Sequence, residues 1–149
     1  MKLAKDLKEF VELLNSTGVE YLIVGGYAVA FHGHPRYTGD IDVLVRRSPA
    51  NADRIVRVLE SFGFGSVGVD AQTFLTPETV VQLGRPPNRI DILTDISAVD
   101  FDSAWAARED AKLDGVPVSM IGRRDLITNK RASGRPLDLA DVDALGDGD

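Results

Sequence analysis

Asp40 and Asp42 flank Ile41 in the run Asp40-Ile41-Asp42-Val43-Leu44-Val45, whose composition is that of a strand. Side chains alternate across a strand, so the two aspartates point to one face and Ile41 and Val43 to the other. Two carboxylates aimed together repel each other, which costs stability unless a cation sits between them. Upstream, Gly25-Gly26 follows an apolar run and precedes a helical pattern. Glycine brings bare backbone N–H groups to a helix start, where phosphate oxygens are well received. These residues together predict a phosphate cradle facing a divalent-metal clamp.

The elements that must hold these groups are legible around them. Tyr21-Leu22-Ile23-Val24 has the composition of a buried strand, and Tyr27 to His32 reads as the first turns of a helix. Further on, Thr79 to Leu83 reads as a strand, Arg85-Pro86-Pro87-Asn88 as a turn and Arg89-Ile90-Asp91-Ile92-Leu93 as the return strand. Asp91 sits alone between two isoleucines, and a buried unpaired charge is expensive, so its presence points to a task. Asp95 is the competing carboxylate, with capping of the next helix as its alternative role. His32 and His34 are read as loop or substrate contacts, since a histidine ending a helix need not converge with one in the loop. Arg36 either neutralises Asp40, reaches a phosphate as a fork-shaped donor, or is a solvated loop arginine.

Gly25-Gly26, a short helix and then Asp40-Ile41-Asp42 resemble the signature of the nucleotidyltransferase superfamily. The closer likeness is to small prokaryotic members, the AbiEii-type and minimal nucleotidyltransferases. Ala28 and Arg36-Tyr37-Thr38-Gly39-Asp40 match the continuation of their glycine motif. The superfamily places a third carboxylate on a strand beside the Asp-x-Asp strand, and Asp91 matches it. Lys130, Arg135, Asp138 and Asp141 resemble the C-terminal pattern of Lys, Arg, then Asp-x-x-Asp. Tyr27 departs from the pattern, standing where many members carry a small hydroxyl residue. Its ring would crowd the triphosphate or stack on the base.

Elsewhere the pattern is structural. Leu3 to Ser16 reads as an amphipathic helix stopped at Thr17-Gly18. Ser48-Pro49 starts a second helix that runs to about Ser61. Gly63 to Gly68 is a glycine-rich turn without the Lys-Ser/Thr of a P-loop. Asp100 to Arg108 reads as a short helix. Asp114-Gly115 marks a hairpin between Ala111–Leu113 and Val116–Ile121, with Pro117 suggesting that the second strand is an edge. Gly122 to Ser133 and Arg135 to Leu145 read as two closing helices, where Asp138 and Asp141 either serve the site or pair with Arg135, Lys130 or Arg131.

The 149 residues suit one domain, residues 1–149, burying roughly two-thirds of the unfolded surface. A chain that is 44% hydrophobic and 27% charged is ordinary for a soluble globular protein. The absence of cysteine excludes disulfides, thiolate metal sites and cysteine nucleophiles. No apolar run approaches the roughly 20 residues that span a bilayer, and no signal-peptide core follows Met1 to Lys5, so cytoplasmic residence is expected. A net charge of −6 argues against a broad basic surface for nucleic acid, though not against an RNA end in a local groove.

The resemblance therefore implies an α/β (α+β) fold, a mixed twisted sheet flanked by helices. It implies that Gly25 and Gly26 hold the triphosphate of an NTP, with Lys130 and Arg36 offsetting phosphate charge. Asp40, Asp42 and Asp91 would be the catalytic and metal-binding residues for Mg²⁺ or Mn²⁺. The reaction would be attack of an acceptor hydroxyl on the α-phosphate with loss of pyrophosphate. The acceptor is open between tRNA, a protein hydroxyl and a small molecule. A partner protein in a toxin–antitoxin or defence pair is also expected. The alternative is a non-catalytic nucleotide-binding or interaction module of the same fold.

Overall fold

A computed structural model describes residues 3–33, 39–63, 68–85 and 88–146. Arg36, His34, Phe64–Val67, Pro86-Pro87 and the last three residues lie outside that set, so the expectations placed on Arg36 and His34 are not addressed by it. Among the described residues the chain forms six α-helices and six strands in one mixed sheet. This is the mixed α/β single domain expected from the sequence.

The first helix, α1 (Lys5–Thr17), buries Leu7, Phe10, Val11 and Leu14, the stripe its spacing predicts. Gly18 ends it in the left-handed region, with φ 78°. Strand β1 (Tyr21–Val24) is buried along its whole length. It leads directly into α2 (Gly25–Phe31), so the glycine pair is the first turn of that helix and not a loop before it. After β2 (Ile41–Val45), Ser48 caps α3 (Pro49–Ser61) by accepting from the Asn51 N–H. A 3-10 turn at Ala71–Leu75, capped by Asp70, then feeds β3 (Val80–Leu83) and β4 (Ile90–Leu93).

The chain closes through α4 (Phe101–Ala106), the hairpin β5 (Glu109–Leu113) and β6 (Val116–Met120), then α5 (Arg123–Ser133) and α6 (Pro136–Ala144). The strand order is β3-β4-β2-β1-β6-β5. Strand β6 is thus interior, not the edge that Pro117 suggested. The reason is local. Strands β1 and β6 pair at Ile23↔Met120, beyond the proline, while Pro117 pairs across the hairpin with Lys112. The missing N–H of Pro117 therefore costs no bond to β1.

The register that matters for function runs across three strands. Asp42 on β2 is level with Val24 on β1 and with Asp91 on the parallel neighbour β4, and Asp91 is level with Gln82 on β3. Level residues share a face, so Asp42 and Asp91 project together. The core beneath this surface includes Ile41, Val43, Ile90 and Ile92, whose burial fixes the register. Helix α2 packs on β1 and β2 and touches α5, and α5 packs on α6, which brings the C-terminal helices to the same neighbourhood.

Candidate active site

Asp42 and Asp91 open onto a cleft of about 1390 Å³ whose lining also includes Gly25, Gly26, Asp40, Arg89, Lys130 and Arg135. The three carboxylates read from the sequence and the glycine pair therefore line one cleft. Burial pushes the Asp42 carboxyl up to about 7, helped by its hydrogen bond to Asp91 and by the negative charges of Asp91 and Asp40. Lys130 pulls in the opposite direction but does not prevail.

Gly25 is shaped by the same carboxylate. Its φ is +69°, and a Cβ there would lie 2.0 Å from Asp42 Oδ2 and 2.9 Å from its Cγ. Only glycine fits both the backbone angle and the space. Val24, the residue before the helix, supplies no side-chain cap to the first-turn N–H groups of α2. Tyr27 does not crowd this end of the cleft. It is buried in the core and is not part of the cleft lining.

The sequence reading missed Arg89, seen there only as the start of a strand. Its Nε donates to Asp91 Oδ1 at 2.8 Å and its Nη2 to Asp91 Oδ2 at 3.1 Å. The same Nη2 stands 3.2 Å from Asp40 Oδ2, and the Arg89 backbone N–H donates to Asp40 Oδ1 at 3.2 Å. The hydrogen bond and charge of Asp91 raise the Arg89 guanidinium above its ordinary range. The available signal was spacing, since residues two apart on a strand share a face and Arg89 stands two before Asp91.

Lys130 lies at the cleft, but its ammonium is engaged. It is 3.3 Å from Asp138 Oδ1 and 3.0 Å from Asp141 Oδ2, and all three residues are buried. Arg135 Nε donates to Asp138 Oδ2 at 2.7 Å. Burial alone would push Asp138 up, yet hydrogen bonds from Arg135 and Lys130 and their charges hold it below the usual carboxylate range. The pairing reading of Asp138 and Asp141 is thus the geometry observed, and it ties α5 to α6. Asp95 caps no helix. It accepts from the Glu78 N–H at 2.7 Å and faces Arg47 at 3.4 Å, while Asp100 caps α4. His32 Nε2 sits 2.7 Å from the Ile121 carbonyl oxygen, a packing role.

Carboxylate oxygens are the donors that hard divalent cations take. The level pair Asp42 and Asp91 fits such an ion, because a cation relieves the repulsion that helps raise the Asp42 carboxyl. Among the described residues no three acidic or histidine side chains already enclose one point, and Asp40 is turned to Arg89. None of the described helices is long and apolar enough to cross a membrane.

A comparison with curated proteins finds no match. Among solved structures, the chain is similar to an antigenic nucleotidyltransferase-like protein from Paracoccidioides brasiliensis, with TM-score 0.55 and 20% identity over 97% of this chain and 78% of that one. It is also similar to a protein from Thermotoga maritima described as a candidate nucleotidyltransferase, with TM-score 0.56 and 16% identity over 92% of this chain and 84% of that one. At these identities the likeness concerns the fold. Residues 1–146 match a family as a whole, and the chain belongs to that family, described as nucleotidyltransferase of unknown function (DUF6036).

Proposed function

We propose that the protein is a metal-dependent nucleotidyltransferase that moves a nucleoside monophosphate from an NTP to an acceptor hydroxyl. The observation that carries this reading is the level pair Asp42 and Asp91, two carboxylates facing one cleft beside the uncapped start of α2. Gly25 and Gly26 receive the triphosphate through backbone N–H groups. Asp42 and Asp91, with Asp40 beside them, hold Mg²⁺ or Mn²⁺. Such an ion, when bound, neutralises developing charge on the reacting phosphate. The acceptor oxygen bonds to the α-phosphorus as the bond from that phosphorus to the β-phosphate's bridging oxygen breaks. Pyrophosphate leaves, and Asp91 takes the acceptor's proton. Most of the rate then comes from positioning and electrostatics, which a small domain can supply.

The finer likeness to AbiEii-type and minimal nucleotidyltransferases, and with it a toxin–antitoxin or defence role, belongs to this proposal and rests on the glycine and Asp-x-Asp motifs. A second reading, nucleotide binding without turnover, is favoured by the hold of Arg89 on both Asp40 and Asp91. One experiment separates the two. The chain is melted with millimolar Mg²⁺ or Mn²⁺ and each NTP, then incubated with each α-labelled NTP and total cell RNA or lysate. A raised melting temperature with label on an acceptor, both lost in Asp42→Asn, supports transfer. A raised melting temperature without label supports the binding module. No shift with any NTP overturns both.

A further inference from the structure

We infer that Arg89 fills the seat of a second cation, so that the site takes one divalent ion per chain and not two. The inference rests on the transferase reading and deepens it. Of the three carboxylates, two have both oxygens in contact with this one residue. Asp91 meets the guanidinium through Oδ1 and Oδ2 at 2.8 and 3.1 Å. Asp40 meets its backbone N–H through Oδ1 and its Nη2 through Oδ2, each at 3.2 Å. An ion bridging Asp40 and Asp91 would have to expel the guanidinium from both.

The arginine's backbone is held beside the sheet. The Ile41 N–H donates to the Arg89 carbonyl oxygen at 2.9 Å, fixing the backbone two residues from Asp91. The planar fork then matches Asp91 in the two-point geometry in which Arg–carboxylate pairs are strongest. Asp42 makes no such contact with Arg89 and stands level with Asp91 on the neighbouring strand. An ion held by Asp42 and by the remaining lone pairs of Asp91 leaves the guanidinium in place. Sites with two ions hold them about 4 Å apart across shared carboxylates. Here the guanidinium lies between the carboxylates such an arrangement would share. It would also present N–H donors at a fixed place for charge on the transferred phosphate.

The test counts ions. Native chain, Arg89→Met and Arg89→Lys are titrated with Mn²⁺ in the presence of each α,β-methylene nucleoside triphosphate, and bound Mn²⁺ is read from loss of the free-ion electron paramagnetic resonance signal. Circular dichroism melts confirm that each variant is folded. We expect one Mn²⁺ in total per native chain with its bound analogue, the ion that enters with the nucleotide included, one in Arg89→Lys and two in Arg89→Met. Two ions in the native chain overturn the inference and leave the transferase reading standing. One ion in both native chain and Arg89→Met overturns it as well, since the arginine then guards no seat. No ion in the native chain with any analogue defeats the transferase reading itself. If Arg89→Met does not fold, the native count still decides between one ion and two.

Discussion

The backbone of Gly25 lies against the carboxylate of Asp42 so closely that one added methyl group would sit 2.0 Å from Oδ2. The end of β1 and the acidic strand β2 are thereby locked in mutual position. Gly25→Ala should cost the clash and the left-handed backbone together, roughly 2 kcal/mol or more. Combining it with Asp42→Ala should recover most of the steric part, the Cβ at position 42 remaining 3.1 Å away, and leave about 1 kcal/mol from the backbone angle. Denaturant melts of the single and double variants check this. Additive losses would show that the two residues do not press on each other.

Asp42 sets a pH dependence. Its folded pKa is near 7, against about 3.9 for an unfolded aspartate. Between those values the native state binds a proton that the unfolded state has released. This contribution to stability is full below the unfolded value and is lost as pH rises through the folded one. Metal-free Asp42→Asn should therefore match the native chain near pH 4.5 and exceed it above pH 7, by on the order of 2–3 kcal/mol. Melts in EDTA at the two pH values measure it. Parallel curves for both proteins would mean that no strain is stored at Asp42.

The carboxylates and glycines were legible because their spacing forces them together on any strand–helix–strand path, and Asp91 stood out as a charge in an apolar run. Arg89 was not, because an arginine at a strand start looks like a solvated end. Pro117 misled, since a missing N–H removes one hydrogen bond at one residue and does not make the whole strand an edge. Asn51 left no trace either. A polar residue in the first turn of a helix normally faces water, and only the tertiary structure buries it.

That asparagine carries the next prediction. Asn51 is fully buried, accepts from the Glu20 N–H at 2.7 Å and donates to the carbonyl oxygens of Glu20 and Arg46 at 3.0 and 2.9 Å. It clamps the start of β1 to the end of β2. Asn51→Ala should strand these groups and destabilise by roughly 3 kcal/mol. Urea denaturation with the slope held fixed checks it, and a loss under about 1 kcal/mol would show that water replaces the amide.

Lys130 separates structure from chemistry at the C-terminal helices. Lys130→Met leaves Asp138 and Asp141 buried with their shared ammonium gone, and should cost about 3 kcal/mol or more. Replacing all three by apolar residues of similar volume should restore most of that stability. Thermal melts of the single and triple variants decide it. A triple variant no more stable than Lys130→Met would assign the triad a role beyond cancelling charge.

The parallel pairing of β2 with β4 has a kinetic consequence. Asp42 and Asp91 are roughly fifty residues apart, joined through α3, the 3-10 turn and β3, so their ladder closes a long loop. Such contacts form late and slowly, after the local hairpins and helices that do not need them. The repulsion between the two carboxylates arises only when this pairing forms, and the pairing also buries the hydrophobic neighbours Ile41, Val43, Ile90 and Ile92 that offset it. A partly folded molecule carries both aspartates but not their juxtaposition, so the ion binding proposed above requires the completed sheet.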